Sequence, residues 1–183
     1  DTPAHRIYSE ASLGKAYLNH MGILPLRKVQ PDVPPELLGQ LLGTYYGGRS
    51  EVRIRRQITR VLYVDFRSIY PAVCTLMGLW RFVIAKGFDW EEWTEGARTL
   101  LQVVELGDLQ DKAFWKSLTA IVQIEPDDDV LPIRAAYDGK SRTIGLNHLT
   151  AKEPLWYTLA DCIASKLITG RAPKIIRAVC FKP

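Results

Sequence analysis

Three strand-like runs, at residues 120–125 (AIVQIE), 131–137 (LPIRAAY) and 143–149 (TIGLNHL), follow one another with only PDDD and DGKS turns between them. A parallel crossover needs a dozen or more residues. Strands this clustered therefore rule out a doubly wound parallel sheet and predict an α+β fold around an antiparallel sheet. The spacing of Trp156, Leu159, Ala160, Ile163 and Leu167 predicts a helix over 153–169, stopped by Gly170, with a last strand over 174–181.

Upstream, Leu13, Tyr17, Leu18 and Met21 recur at helical spacing and Gly22 ends their helix. A proline-punctuated connector, centred on QPDVPP, divides residues 1–35 (helix and linker) from a region spanning 36–183. That region opens with a short helix over 36–42, the stretch GTYYGG, and strand candidates at 51–55 and 60–65. Ser68 is placed to cap a helix over 69–77, with Pro71 in its first turn. Helices are predicted over 90–104 and 109–118 as well.

A hydrophobic content of 47% with 24% charged residues describes a globular chain. No apolar run is long enough to cross a bilayer and no signal peptide opens the sequence, so no membrane partner is expected. Cys74, Cys162 and Cys180 are far apart and odd in number. They suggest buried thiols in a reducing, cytoplasmic (or nucleoid-associated) setting. The formal charge of +4 is small, but Arg49, Arg53, Arg55, Arg56, Arg60 and Arg67 crowd one stretch. That run suits an anionic partner or a solvated basic face. There is no phosphate-binding G-x-x-x-x-G-K-S/T loop and no G-x-S-x-G elbow. His5, His20 and His148 lack metal-ligand spacing.

The chemistry concentrates in VLYVDFRSIYPAV, residues 61–73. Asp65 at the end of a strand can hold a divalent cation at the sheet rim. Backbone N–H groups of the turn at 66–69 and the following helix N-terminus favour phosphate. The same strand-Asp-turn-helix pattern, taken alone, also describes a capping aspartate.

The string Asp65-Phe66-Arg67-Ser68-Ile69-Tyr70-Pro71 resembles the D-x-x-S-L/I-Y-P palm signature of family B DNA polymerases. Tyr45-Tyr46-Gly47-Gly48-Arg49, shortly before it, resembles the Y-x-G-G element joining exonuclease and polymerase domains there, above all in protein-primed members. SEASLGKAYLNHMGI is similar to the helix preceding that junction. The resemblance covers residues 9–78 and implies a palm-type antiparallel sheet, incomplete in this chain. It implies Asp65 as a ligand for catalytic Mg²⁺, with the Phe66 carbonyl beside it. Arg67, Ser68, Ile69 and the turn amides would meet the triphosphate, and Tyr70 would be the steric gate under the deoxyribose. Tyr45, Gly47, Gly48 and Arg49 would contact the template strand, with Arg53 and Arg55 as further DNA contacts. The implied reaction is two-metal addition of deoxynucleotides to a primer 3′-hydroxyl. The implied partners are template–primer DNA, deoxynucleoside triphosphates, and the rest of a polymerase or a terminal protein.

Two family motifs have no counterpart here: the K-x-x-x-N-S-x-Y-G helix and the Y-x-D-T-D hairpin with its second carboxylate. Asp127-Asp128-Asp129 has an inter-strand setting but reads as a solvated hairpin turn, and Asp161 and Lys166 as the polar face of the last helix. No D-x-E pair predicts proofreading. Both ends look cut, so a polymerase fragment, incomplete and inactive alone, is expected. The alternatives are a non-catalytic nucleic-acid-binding or scaffold domain of polymerase descent, and a structural protein with another anionic partner.

Overall fold

The computed structural model describes residues 3–48, 54–137 and 141–183. Along the chain run helices α1 (Glu10–His20), α2 (Leu26–Val29), α3 (Pro35–Gly43), α4 (Ile69–Leu76) and α5 (Trp80–Ile84). Strand β1 (Asp89–Glu92) and helices α6 (Thr94–Val103) and α7 (Lys112–Trp115) follow. Then come β2 (Ala120–Glu125), β3 (Val130–Tyr137), β4 (Ser141–His148), β5 (Leu155–Thr158), α8 (Leu159–Thr169) and β6 (Lys174–Lys182). The architecture is α+β, with a four-stranded antiparallel sheet in the order β1-β6-β2-β5 and a separate β3–β4 hairpin.

Alternation along β2 decides how the layers stack. Ala120, Val122 and Ile124 face one core, shared with Ala97 and Leu101 of α6 and Leu159, Cys162 and Ile163 of α8. Ile121 faces the other, with Val33, Leu37 of α3, and Val179 and Phe181 of β6. The β2–β6 register shifts between Gln123 and Ile124, leaving Ile176 without an opposite residue. This bulge lets Ile175 and Ala178, three positions apart, both reach the α6–α8 side. Full burial of a side chain such as Ile124 or Leu131 contributes about 1.5–3 kcal/mol each.

Helix ends are tied into the same frame. Lys166 on α8 donates from Nζ to the carbonyls of Gln102 (2.6 Å) and Val104 (2.8 Å), closing the C-terminus of α6 with a cation where the dipole favours one. Lys166 is thus a fastener between two helices, more than a polar face. Gly170 adopts φ +76° and ends α8 as expected. The helix over residues 10–20 and the one over 35–43 also form where the pattern puts them.

Three helix boundaries differ from expectation. Residues 89–92 join the sheet edge as β1, and the helix starts at Thr94, whose Oγ1 accepts from Ala178 N–H at 2.8 Å. Residues 155–158 form β5, and α8 starts after it, because Thr158 Oγ1 accepts from Asp161 N–H at 3.1 Å. Helical spacing had absorbed Trp156 and Tyr157. Aromatic and β-branched content with a Thr-x-x-Asp cap was the stronger local signal. The expected helix over 109–118 is a 3₁₀ turn, Leu106–Gln110, followed by the short α7.

The PDDD turn does not close a hairpin either. It carries the chain from the large sheet, where β2 pairs β5 and β6, to the β3–β4 pair. Asp127 and Asp128 are exposed, but Asp129 is buried and accepts from Asp127 N–H at 3.2 Å. Arg171 pairs with Asp127 at 3.0 Å and stands 4.0 Å from Asp129. Asp128 lies 3.1 Å from His148 Nδ1. Of the cysteines, Cys162 is buried as expected, whereas Cys74 and Cys180 are only half-buried.

Burial pushes the Asp129 carboxyl above the ordinary aspartate range, against the Asp127 N–H and Arg171, which pull it down. The folded chain therefore binds that proton more tightly than the unfolded one. Stability from this group falls as pH rises from the ordinary value, about 3.9, through the raised one. Asp129→Asn should remove that component. Unfolding free energies measured in urea across the acid range should show the wild-type-minus-variant difference declining with pH, and a pH-independent difference would refute the assignment.

Candidate nucleic-acid interface

The Tyr-Tyr-Gly-Gly stretch follows directly on α3. Thr44 Oγ1 donates to Leu41 O at 2.8 Å, and Tyr45 N–H donates to Leu42 O at 3.2 Å, so the chain turns as the helix ends. Tyr46 then lays its ring on Tyr157 of β5, with centroids 5.3 Å apart and planes within 1° of parallel. The Arg134 guanidinium of β3 covers the Tyr46 ring at 4.5 Å and donates to the Tyr45 carbonyl. Tyr157 is wholly buried, and its hydroxyl donates to Pro132 O at 3.0 Å. Burial, reinforced by Tyr46, pushes that phenol far above its usual range, so it stays a neutral donor.

This stacking consumes Tyr46 and spares Tyr45. Tyr45 is 74% exposed, and Gly47 and Gly48 are exposed next to it. Gly47 holds φ +72°, where a β-carbon would be strained, although it would meet only Ile144 Cδ1 at 3.9 Å and the Tyr45 hydroxyl at 4.0 Å, both ordinary contacts. An exposed phenol beside bare backbone is a surface on which a base can stack and a phosphodiester can approach closely. Arg49 and Arg53, and with them most of the strand expected over 51–55, lie outside the described residues. Arg55 is exposed and in no strand.

The second motif is placed differently from expectation. Residues 60–65 form no strand, so Asp65 is not at a sheet rim. Both edges of β2 are already taken by β5 and β6, and residues 60–65 join neither sheet. The carboxylate of Asp65 is exposed, without an ion pair or hydrogen bond among the described residues, so it is not a capping aspartate. Phe66 and Arg67 are exposed beside it. Helix α4 starts at Ile69 as expected, but Ser68 caps it only through its carbonyl, which accepts from Ala72 N–H at 3.0 Å. Ser68 sits at φ +53° with no side-chain cap, and the third helical residue, Pro71, has no N–H to donate. Tyr70 projects at 76% exposure from the first turn, whose amides have no intrahelical acceptor. Past the end of α4, Met77 packs against the core.

A pair of catalytic magnesium ions needs more than one carboxylate. Among the described residues no three acidic, histidine or cysteine side chains are grouped to hold a metal ion, and Asp65 stands alone. These residues do not fit a two-metal site by themselves. No family model, curated protein or solved structure matches the chain.

Sequence reasoning overlooked Arg134 and Tyr157. The signal for Arg134 was an arginine within the strand LPIRAAY, and for Tyr157 an aromatic pair flanked by Pro154 and Thr158. Tyr157→Phe should leave the Pro132 carbonyl unsatisfied and lower the unfolding free energy by about 1–3 kcal/mol. Chemical denaturation monitored by tryptophan fluorescence measures it, and an unchanged midpoint would remove the anchoring role.

Proposed function

We propose that this chain is the palm-bearing part of a family B-like DNA polymerase. It grips template–primer DNA along residues 45–48 and the neighbouring arginines. It contributes Asp65 and Tyr70 to a deoxynucleoside triphosphate site, and a second carboxylate comes from outside the described residues. One observation carries the reading. The fold spends Tyr46, Arg134 and Tyr157 on holding the turn, while the groups the chemistry needs, Tyr45, Asp65 and Tyr70, are left exposed. Arg67, Ser68 and Ile69, at the start of α4, lie on the side of Tyr70 where a triphosphate would meet the helix N-terminus. No helix among the described residues is long and apolar enough to cross a membrane.

The solitary Asp65 favours a second reading, a non-catalytic nucleic-acid-binding or scaffold domain derived from a polymerase. The catalytic reading and the nucleic-acid-binding form of the second both require DNA binding by counterion release, with an affinity slope near −0.9 per phosphate neutralised on duplex. Fluorescence anisotropy on primed and single-stranded oligonucleotides should show that slope, and Tyr45→Ala should weaken binding by about 1–3 kcal/mol. Salt-independent or absent binding would overturn both and leave only a scaffold. In a polymerase containing this segment, the catalytic reading expects Asp65→Ala to abolish primer extension and Tyr70→Ala to admit ribonucleotides. Extension that survives Asp65→Ala would leave the non-catalytic reading.

A further inference from the structure

Residues 58–66 bear an apolar surface that the fold leaves bare. Ile58, Val61, Leu62, Tyr63, Val64 and Phe66 are all exposed, Tyr63 at 92% and Leu62 at 85%. Their composition is that of a strand, β-branched and aromatic. Both alternating sets, Val61 with Tyr63 and Leu62 with Val64, are apolar, the pattern of a strand with neighbours around it. Among the described residues no strand ladder includes them.

The segment is also self-complementary in charge. Arg60 opens it and Asp65 closes it. Antiparallel pairing with an identical segment, about a two-fold axis between Leu62 and Tyr63, sets Arg60 opposite Asp65 of the second copy. The same register sets Val61 opposite Val64 and Leu62 opposite Tyr63. Every cross-strand pair is then either opposite in charge or apolar on both sides. A two-fold axis repeats each pair, so one register satisfies both chains.

Two other occupants fit less well. The edge strand β1 is acidic, but Glu91 and Glu92 are already paired with Lys182 at 2.6 Å and Arg177 at 2.9 Å. DNA would meet the arginines and leave Val61, Leu62 and Val64 in water. We propose that residues 60–65 are a homodimerisation strand, which pairs antiparallel with the same residues of a second copy and is locked by two Arg60–Asp65 ion pairs. The proposal does not depend on the polymerase reading. It implies that the dimer and an open nucleotide site exclude each other, because Asp65 serves both.

The test is sedimentation velocity across a dilution series of the whole chain, repeated on charge-reversed variants. A reversible monomer–dimer equilibrium is expected at roughly micromolar concentrations, as for small interfaces. Arg60→Asp alone and Asp65→Arg alone should each weaken dimerisation about tenfold, since like charges then face each other twice. The double variant should recover to within about threefold of wild type. The segment lies outside both apolar cores, so all three variants should keep the wild-type circular dichroism and melting temperature when compared at concentrations where each is monomeric. A chain that stays monomeric throughout, a dimer indifferent to both reversals, or a double variant as weak as the singles would each overturn the proposal.

Discussion

The pairing of β2 with β6 is the constraint from which the other placements follow. Both strands are apolar on both faces, so each must be interior and each face must be roofed by helices. The bulge at Ile176 corrects the phase of β6, bringing Ile175 and Ala178 onto the α6–α8 side and leaving Val179 and Phe181 to meet α3. With β6 and β5 occupying the two edges of β2, this strand has no position left for residues 60–65. The motif-bearing segment pairs with neither that strand nor the free edges of β1 and β5.

That same sheet fixes the one motif element that is ordered against it. Tyr157, buried on β5, offers a flat neutral ring to Tyr46, and Arg134 closes the stack from β3. The small sheet and the large one are thereby joined through a turn that projects Tyr45 outward. Arg171 and the buried Asp129 join them a second time at the crossing from β2 to β3. Within one tetrapeptide Tyr46 supports the turn and Tyr45 stays exposed.

Strand positions in the second half were legible because alternation, turn residues and strand length agreed there. Residues 120–125 and the return strand through 174–182 form where the pattern predicts them. Helix starts were less legible wherever a short edge strand of aromatic residues led into a helix, since Trp90 and Trp156 fit both periods. Residues 60–65 are the instructive failure. Their composition is that of a strand, but a strand needs a neighbour, and composition cannot say whether the chain supplies one. Ser68 failed for local reasons, because its left-handed backbone is not that of a side-chain cap and Pro71 removes one of the two amides such a cap would bind. Tyr45 and Gly47 were singled out by the Y-x-G-G resemblance, whereas Arg134 and Tyr157 became visible only once β3 and β5 met the turn.

Residues 54–67 contribute no strand and no core side chain to the fold. Amide hydrogen exchange on the dilute, monomeric chain tests it most directly. Amides of Val122, Ile124 and Ala178 should exchange only through global unfolding, and those of Val61 to Val64 at nearly the rate of a free peptide. Slow exchange at Val61 to Val64 in the monomer would show that the segment is a strand of this sheet after all, and would contradict the account.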